Sequence, residues 1–476
     1  MKTKNIKFLI LMLMAVSAFA LTGCSDDDDN PVAVGDMGSG AMLRVVHASP
    51  DAPAVDVYAK GVADPLIINL DYTNTSDYLE LDPGTYVIQL RGAGADPSSA
   101  PAYETGELNI PDGAVITAVA AGLLGSSDAD DMFRVIPLVE DWQDPGAGNA
   151  AVRIVHASAD APAVAIDVFD DADPEITNFA RFAETGPAGV PLPAGSALDV
   201  AIWAGNPLGK VTTFQTPALP EANIILIATG LLGELPRAEA GFGLLAVGPA
   251  GTVGLIRQNP TVFVLHGSPD APAVDVFVGG TMTELVDGLS FSELSPAVQV
   301  PPASYDLDIK VASTGGLATT ITTPELMAGE RYLAVATGFA LGGTPVLTVL
   351  PLADEFGEDA GALVRAVHAS PGSPAVDIGV VDGSTFTALP EFSNVSFGQA
   401  SAGPGLAVPA TALTLGVAAN GSPTPLVTFS VALNGGQKAF AVAAGVLGEN
   451  GQSFRLLLVD VTSFPWATVE VLPDAN

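Results

Sequence analysis

The chain has 476 residues, 48% of them hydrophobic, 15% charged and 6% aromatic, with 51 glycines and 38 prolines. That is too long for one core and too apolar for a disordered tail, and it points to several all-β domains of short strands joined by tight turns. The 17 basic and 53 acidic residues give a formal charge of −36, which excludes nucleic acid and anionic lipid surfaces as direct partners.

Residues 1–23 read as the signal peptide of a lipoprotein. Lys2, Lys4 and Lys7 give a positive start, and Phe8 to Leu21 form an apolar run too short to span a bilayer as a helix. The tetrad Leu21-Thr22-Gly23-Cys24 resembles the bacterial lipobox, in which the cysteine thiol is acylated and the chain is cut just before it. Cys24 is the single cysteine, so an internal disulfide and a multi-cysteine metal site are excluded. Each buried methylene of an attached lipid contributes about 0.8 kcal/mol, so several acyl chains would hold Cys24 stably in a membrane. Residues 24–40, with the run Ser25-Asp26-Asp27-Asp28-Asp29-Asn30, form a solvated tether. Cleavage leaves 14 basic against 53 acidic residues, a net −39. The expected location is the cell envelope, on the periplasmic or the surface face of the outer membrane.

Beyond residue 40 one pattern returns four times. Arg44 to Tyr58 contains His47-Ala48-Ser49-Pro50-Asp51-Ala52-Pro53-Ala54-Val55-Asp56-Val57-Tyr58. It recurs as Arg153 to Phe169, read with extra residues before Asp167, as Phe263 to Phe277 without the leading arginine, and more loosely as Arg365 to Val380. All four histidines of the protein, His47, His156, His266 and His368, belong to this motif, at steps of 109, 110 and 102 residues. Each period also carries a proline-bearing turn (Asp82-Pro83-Gly84) and an apolar strand ending in glycine (Val119 to Gly122), then a closing strand. About seven strands per period predict four tandem immunoglobulin-like, Greek-key β-sandwich modules at 41–143, 150–249, 260–353 and 362–472. Short polar or Gly-rich linkers predict a semi-flexible string of four beads.

The motif at 47–58 resembles the hallmark of a domain family of unknown function, found often in tandem in secreted and lipid-anchored prokaryotic proteins. The resemblance covers nearly all of residues 41–472. It implies a module and a location, and no activity. Copy four departs most, with Gly372-Ser373 in place of the Asp-Ala pair.

Strand alternation puts each histidine on the core face with the apolar residues two and four places before it, such as Val45 and Leu43. Val55 and Val57 face the core from the next strand, and Asp56 and Tyr58 face away. Two prolines in Ser49 to Pro53 predict an arch between the sheets. A catalytic triad from His47, Ser49 and Asp56 is disfavoured, because the strand phases place the base and the acid on unlike faces. A metal site from His47, Asp51 and Asp56 lacks further ligands, and Gly372 removes one in copy four. The motif residues His47, Asp51, Asp56, His156, Asp160, Asp167, His266, Asp270, Asp275, His368 and Asp377 are therefore read as structural, with no catalytic residue, metal or cofactor. The acidic stretches 128–131 and 170–173 lack the spacing of a calcium loop. Tyr58, Phe169 and Phe277 are candidates for stacking on a sugar ring. The expected function is non-catalytic: a membrane-anchored spacer, adhesin or binding array for an envelope protein or polysaccharide. The alternatives are a glycan- or ligand-binding lipoprotein with one specialised module, and a metal-dependent hydrolase.

Overall fold

A computed structural model describes residues 40–447 and 452–475; the leader, Cys24 and the tether lie outside the described residues. The protein is all-β, built of two-sheet sandwiches. In the first module, apolar residues recur along β1 (Ala41–His47), and the chain then crosses an arch to β2 (Val55–Ala59) and β3 (Ile67–Leu70). It returns through β4 (Leu79–Leu81), β5 (Gly84–Tyr86), β6 (Ile88–Gly92), β7 (Tyr103–Glu104) and β8 (Leu108–Ile110), and closes with β9 (Val115–Ala121) and β10 (Arg134–Val139). One sheet has the order β10-β9-β1-β4, the other β3-β2-β6-β7.

The first sheet is mixed, since β1 runs parallel to β9, from Met42 opposite Val115 to His47 opposite Ala120. The same parallel pair sets His156 opposite Ala228, His266 opposite Ala336 and His368 opposite Ala443. A small residue thus flanks every imidazole. Three further pairs of sheets repeat the plan, between residues 149 and 257, 261 and 353, and 362 and 471. The segment read as a linker after residue 249 contains the strand Gly251–Arg257, which pairs with Gly243–Gly248 and adds a fifth strand to the first sheet of module 2. That boundary therefore moves to Arg257.

Independent beads are not what forms. On the faces turned away from the module's own core, Val46 of β1, Ala48 just after it, and Val119 and Ala121 of β9 are apolar and buried. They share one hydrophobic cluster with Val155, Ala157, Ile225, Ile227, Leu245 and Val247 of module 2. Modules 3 and 4 join likewise, through Phe263, Leu265, Leu333 and Val335 on one side and Val367, Phe440, Val442 and Leu457 on the other. A strand buried on both faces reads as a continuous apolar run, as in Ile224 to Ala228.

The seam between modules 1 and 2 is close to two-fold. Arg44 Nη1 donates to Gly248 O at 2.7 Å and Arg153 Nη1 donates to Val139 O at 2.6 Å, each capturing the carbonyl at the end of the other module's closing strand. Arg365 does the same to Ala353 O at 2.6 Å. Module 3 has Phe263 where the arginine stands elsewhere, and this ring stacks on Trp466 with centroids 4.5 Å apart. Threonines at matching positions also cross the seams: Thr229 Oγ1 donates to Ala48 O at 2.8 Å, and Thr337 Oγ1 to Ala369 O at 2.6 Å. Modules 2 and 3 meet differently, through a buried polar set. Gln258 accepts from Thr212 at 2.7 Å, Asn259 donates to Thr213 at 2.9 Å, and Gln299 accepts the Thr213 amide at 2.9 Å.

Truncating a fully buried seam residue of module 2, Ile227→Ala, should cost roughly 2–5 kcal/mol. Hydrogen exchange should then accelerate in β1 and β9 of module 1 as well as in module 2. Acceleration confined to module 2 would show that the cores are separate.

Candidate functional site

The repeated motif is the natural place to look for chemistry, and its geometry is the same in outline four times. His47 ends β1 and is 1% exposed. Its Nε2 lies 3.1 Å from Pro53 O across the arch, and the other imidazoles lie 2.9, 3.2 and 3.0 Å from Pro162 O, Pro272 O and Pro374 O. A carbonyl can only accept, so Nε2 carries the proton and Nδ1 is left as a bare acceptor. Ser49 N and Ser370 N donate to that atom at 3.4 Å in modules 1 and 4. Among the described residues His156 Nδ1 and His266 Nδ1 have no partner. Burial lowers the pKa of all four imidazoles, and the proline carbonyl offsets this only in part, so they are neutral at pH 7.

The serine proton is committed elsewhere. Ser49 Oγ donates to Gly122 O at 2.6 Å, and Ser158, Ser268 and Ser370 donate to Gly230, Gly338 and Gly445 carbonyls at 2.7, 2.7 and 2.6 Å. Those glycines end the apolar strand at φ near 80–95°. A Cβ on Gly122 would sit 2.5 Å from Met132 O, so no other residue fits. Asp51 caps the following turn, accepting the Leu124 and Gly125 amides at 2.8 Å. Asp160 and Asp270 cap the matching turns in modules 2 and 3. In copy four Gly372 holds that place and Ser370 meets Ser373 Oγ at 2.7 Å.

Asp56 is spent on another turn. Its carboxylate accepts the amide of Asn69, which has φ 51°, and that of Gly94. Asp275 accepts from Gly288, and Asp377 from Asn394 and Gly421. The expected counterpart in module 2 needs correcting. Val164 pairs with Phe179 and Ile166 with Ile176, as Val55 pairs with Leu70 and Val57 with Ile67. The copies therefore align without an insertion. Ala165 occupies the place of Asp56, and Asp167 falls one pleat further on, where it accepts the Phe169, Asp171 and Ala172 amides.

The remaining candidates scatter. Asp128 and Asp131 close their own loop, and Asp170 pairs with Lys210. Tyr58 and Phe277 lie under the cations of Arg91 and Lys310, and Phe169 is 46% exposed. The oxygen ligands of Asp275, Glu284 and Asp287 come within 4.8 Å of one another on the surface of module 3.

Sequence periodicity missed two cavities between the sheets. That of module 2 holds about 410 Å³ and is lined by aliphatic and aromatic side chains, among them Ile154, Val200, Leu226 and Phe242, with His156. That of module 3 holds about 310 Å³ and is lined by aliphatic residues with His266, and also by Tyr305, Tyr332, Thr322, Thr323 and Thr348. Both volumes are those of small-molecule pockets. At about 24 cal/mol per Å³, a sealed void the size of the larger one would cost on the order of 10 kcal/mol. Alternation marks which residues face inward, but not whether they fill the space.

Two outcomes follow from this geometry. Because each folded imidazole titrates below its unfolded value of about 6.5, stability is whole above pH 6.5 and declines as the pH falls below it. The melting temperature should drop between pH 7.5 and 5.5, with a shallower slope in His368→Asn; equal slopes would refute the assignment. Asp56→Ala leaves the Asn69 and Gly94 amides unpaired and should cost about 1–3 kcal/mol in denaturant titrations. A loss near zero would mean that water replaces the carboxylate.

The profile of a domain of unknown function, DUF4397, matches residues 41–169, 260–361 and 362–471. No curated protein matches the chain. A Bacteroides uniformis protein provisionally described as a cell adhesion protein is similar to it at 12% identity and a TM-score of 0.17, over 44% of this chain and 98% of that one. The Bacillus anthracis TIE protein is similar at 8% identity and a TM-score of 0.15, over 87% of this chain and 73% of that one. Likeness at this level carries no argument about function. The matched segments span most of the sequence, and the chain belongs to the DUF4397 family of domains of unknown function.

Proposed function

We propose that the protein is a non-catalytic envelope lipoprotein, anchored through Cys24, that presents its sandwiches as an adhesin or binding array toward an envelope protein or polysaccharide. The observation that carries this reading is the fate of the motif's polar atoms. The imidazole proton goes to a proline carbonyl, the serine proton to a glycine carbonyl, and the carboxylates to turn amides. Groups engaged in holding backbone are not available as a base, nucleophile or ligand set. In this reading the repeated element is architecture, and the envelope partner is met on the outer surfaces of the modules. Among the described residues no helix is long and apolar enough to cross a membrane, so in this reading attachment falls to the lipid.

The test separates anchoring from recognition. Cys24→Ala should move the protein from the membrane fraction to the soluble fraction, and labelled palmitate should appear in the wild type alone. Unchanged membrane association of the variant would end the lipoprotein reading. The soluble chain 25–476, used as bait in envelope extracts and on glycan arrays, should retain an envelope protein or polysaccharide. Hydrolytic turnover by that chain would overturn the non-catalytic assignment.

A further inference from the structure

The cavity of module 2 lies between its two sheets beneath the arch. Three of its lining residues, Pro162, Gly205 and Val211, are exposed and mark its mouth. The other wall residues are mostly buried apolar side chains, a lining in which water finds too few partners to stay. Two side chains of the lining carry polar atoms. Thr216 Oγ1 is engaged by the Leu198 amide at 2.9 Å. His156 is 2% exposed, its Nε2 proton is held by Pro162 O at 2.9 Å, and its Nδ1 has no partner among the described residues. That nitrogen is itself buried, so what the cavity offers a guest is a large apolar volume. Module 3 repeats the arrangement around His266, whose Nε2 is held by Pro272 O and whose Nδ1 is also unpartnered. In modules 1 and 4, by contrast, a serine amide reaches the same atom.

We propose that the cavity of module 2 binds an apolar small molecule with a long hydrocarbon chain, and that module 3 holds a second site of the same kind. The hydrocarbon body fills the space between the sheets. This assignment is independent of how the protein is anchored or what its outer surface recognises.

Ala228 stands opposite His156, and Ala336 opposite His266, in the parallel pair, and each lines the cavity beside its imidazole. The experiment titrates the soluble chain 25–476 with the fluorescent apolar probe N-phenyl-naphthylamine, then displaces it with dodecyl methyl ether or, as a polar control, with triethylene glycol. Two saturable sites per chain are expected, displaced by the ether and not by the glycol. Ala228→Phe and Ala336→Phe should each remove one site, and together both. Absence of saturable binding would overturn the proposal, as would equal displacement by ether and glycol, or full binding by a folded double variant. Should a variant fail to fold, the wild type decides. Its melting temperature must rise with the ether and not with the glycol, because a ligand of the native state stabilises by mass action. No rise would overturn the proposal.

Discussion

The architecture depends on a strand that must be covered twice. Leu43 and Val45 close the sandwich of their own module, while Val46 and Ala48 on the same strand have no water-compatible partner within it. Burying that second face is worth about 25 cal/mol per Å² of apolar surface, and only another module offers a matching face. Pairing of the copies is therefore part of how each copy folds. The arginines that reach across the seam satisfy carbonyls at strand ends, where a sheet edge would otherwise leave acceptors without donors. Arg44 also meets Glu140, Thr117 and Tyr78 inside the seam. Burial alone would raise the Glu140 pKa, and the hydrogen bonds from Thr117, Tyr78 and Trp142 with the nearby Arg44 charge outweigh it.

The arch serves the same economy of polar groups. A chain crossing between sheets leaves backbone atoms that no ladder can pair, and the motif supplies a side chain for several of them. Histidine takes a carbonyl within the arch, serine takes one at the end of a strand some 70 residues away, and aspartate takes two amides in the turn beyond. The long sequence separation explains why the motif, the glycine-ended strand and the turn recur together as one set. Copy four keeps the histidine and serine bonds without the aspartate, and there Ser373 meets the serine instead.

Much of the fold was legible in the residues. Period-two alternation, turn chemistry and the repeat located the strands and the recurring two-sheet plan, and placed the histidines toward the interior. Pairing was legible too, since Val46, Ala48, Val119 and Ala121 are apolar where a solvent face would be polar, but alternation was read for one face only. The misplacement of Asp167 has a simple cause. An aspartate in the right neighbourhood was matched by identity, where the strand register matches Ala165 by position. The cavities had no signature in the sequence, because a volume between sheets is set by packing and not by any period.

One detail of the seams bears on whether a module can stand alone. The copy with Phe263 has its counterpart in Trp466, and the copies with Arg44 and Arg153 have theirs in each other's strand ends. Neighbours are thus matched as left and right hands of a clasp and are not interchangeable links. A module parted from its partner would therefore carry a naked apolar wall.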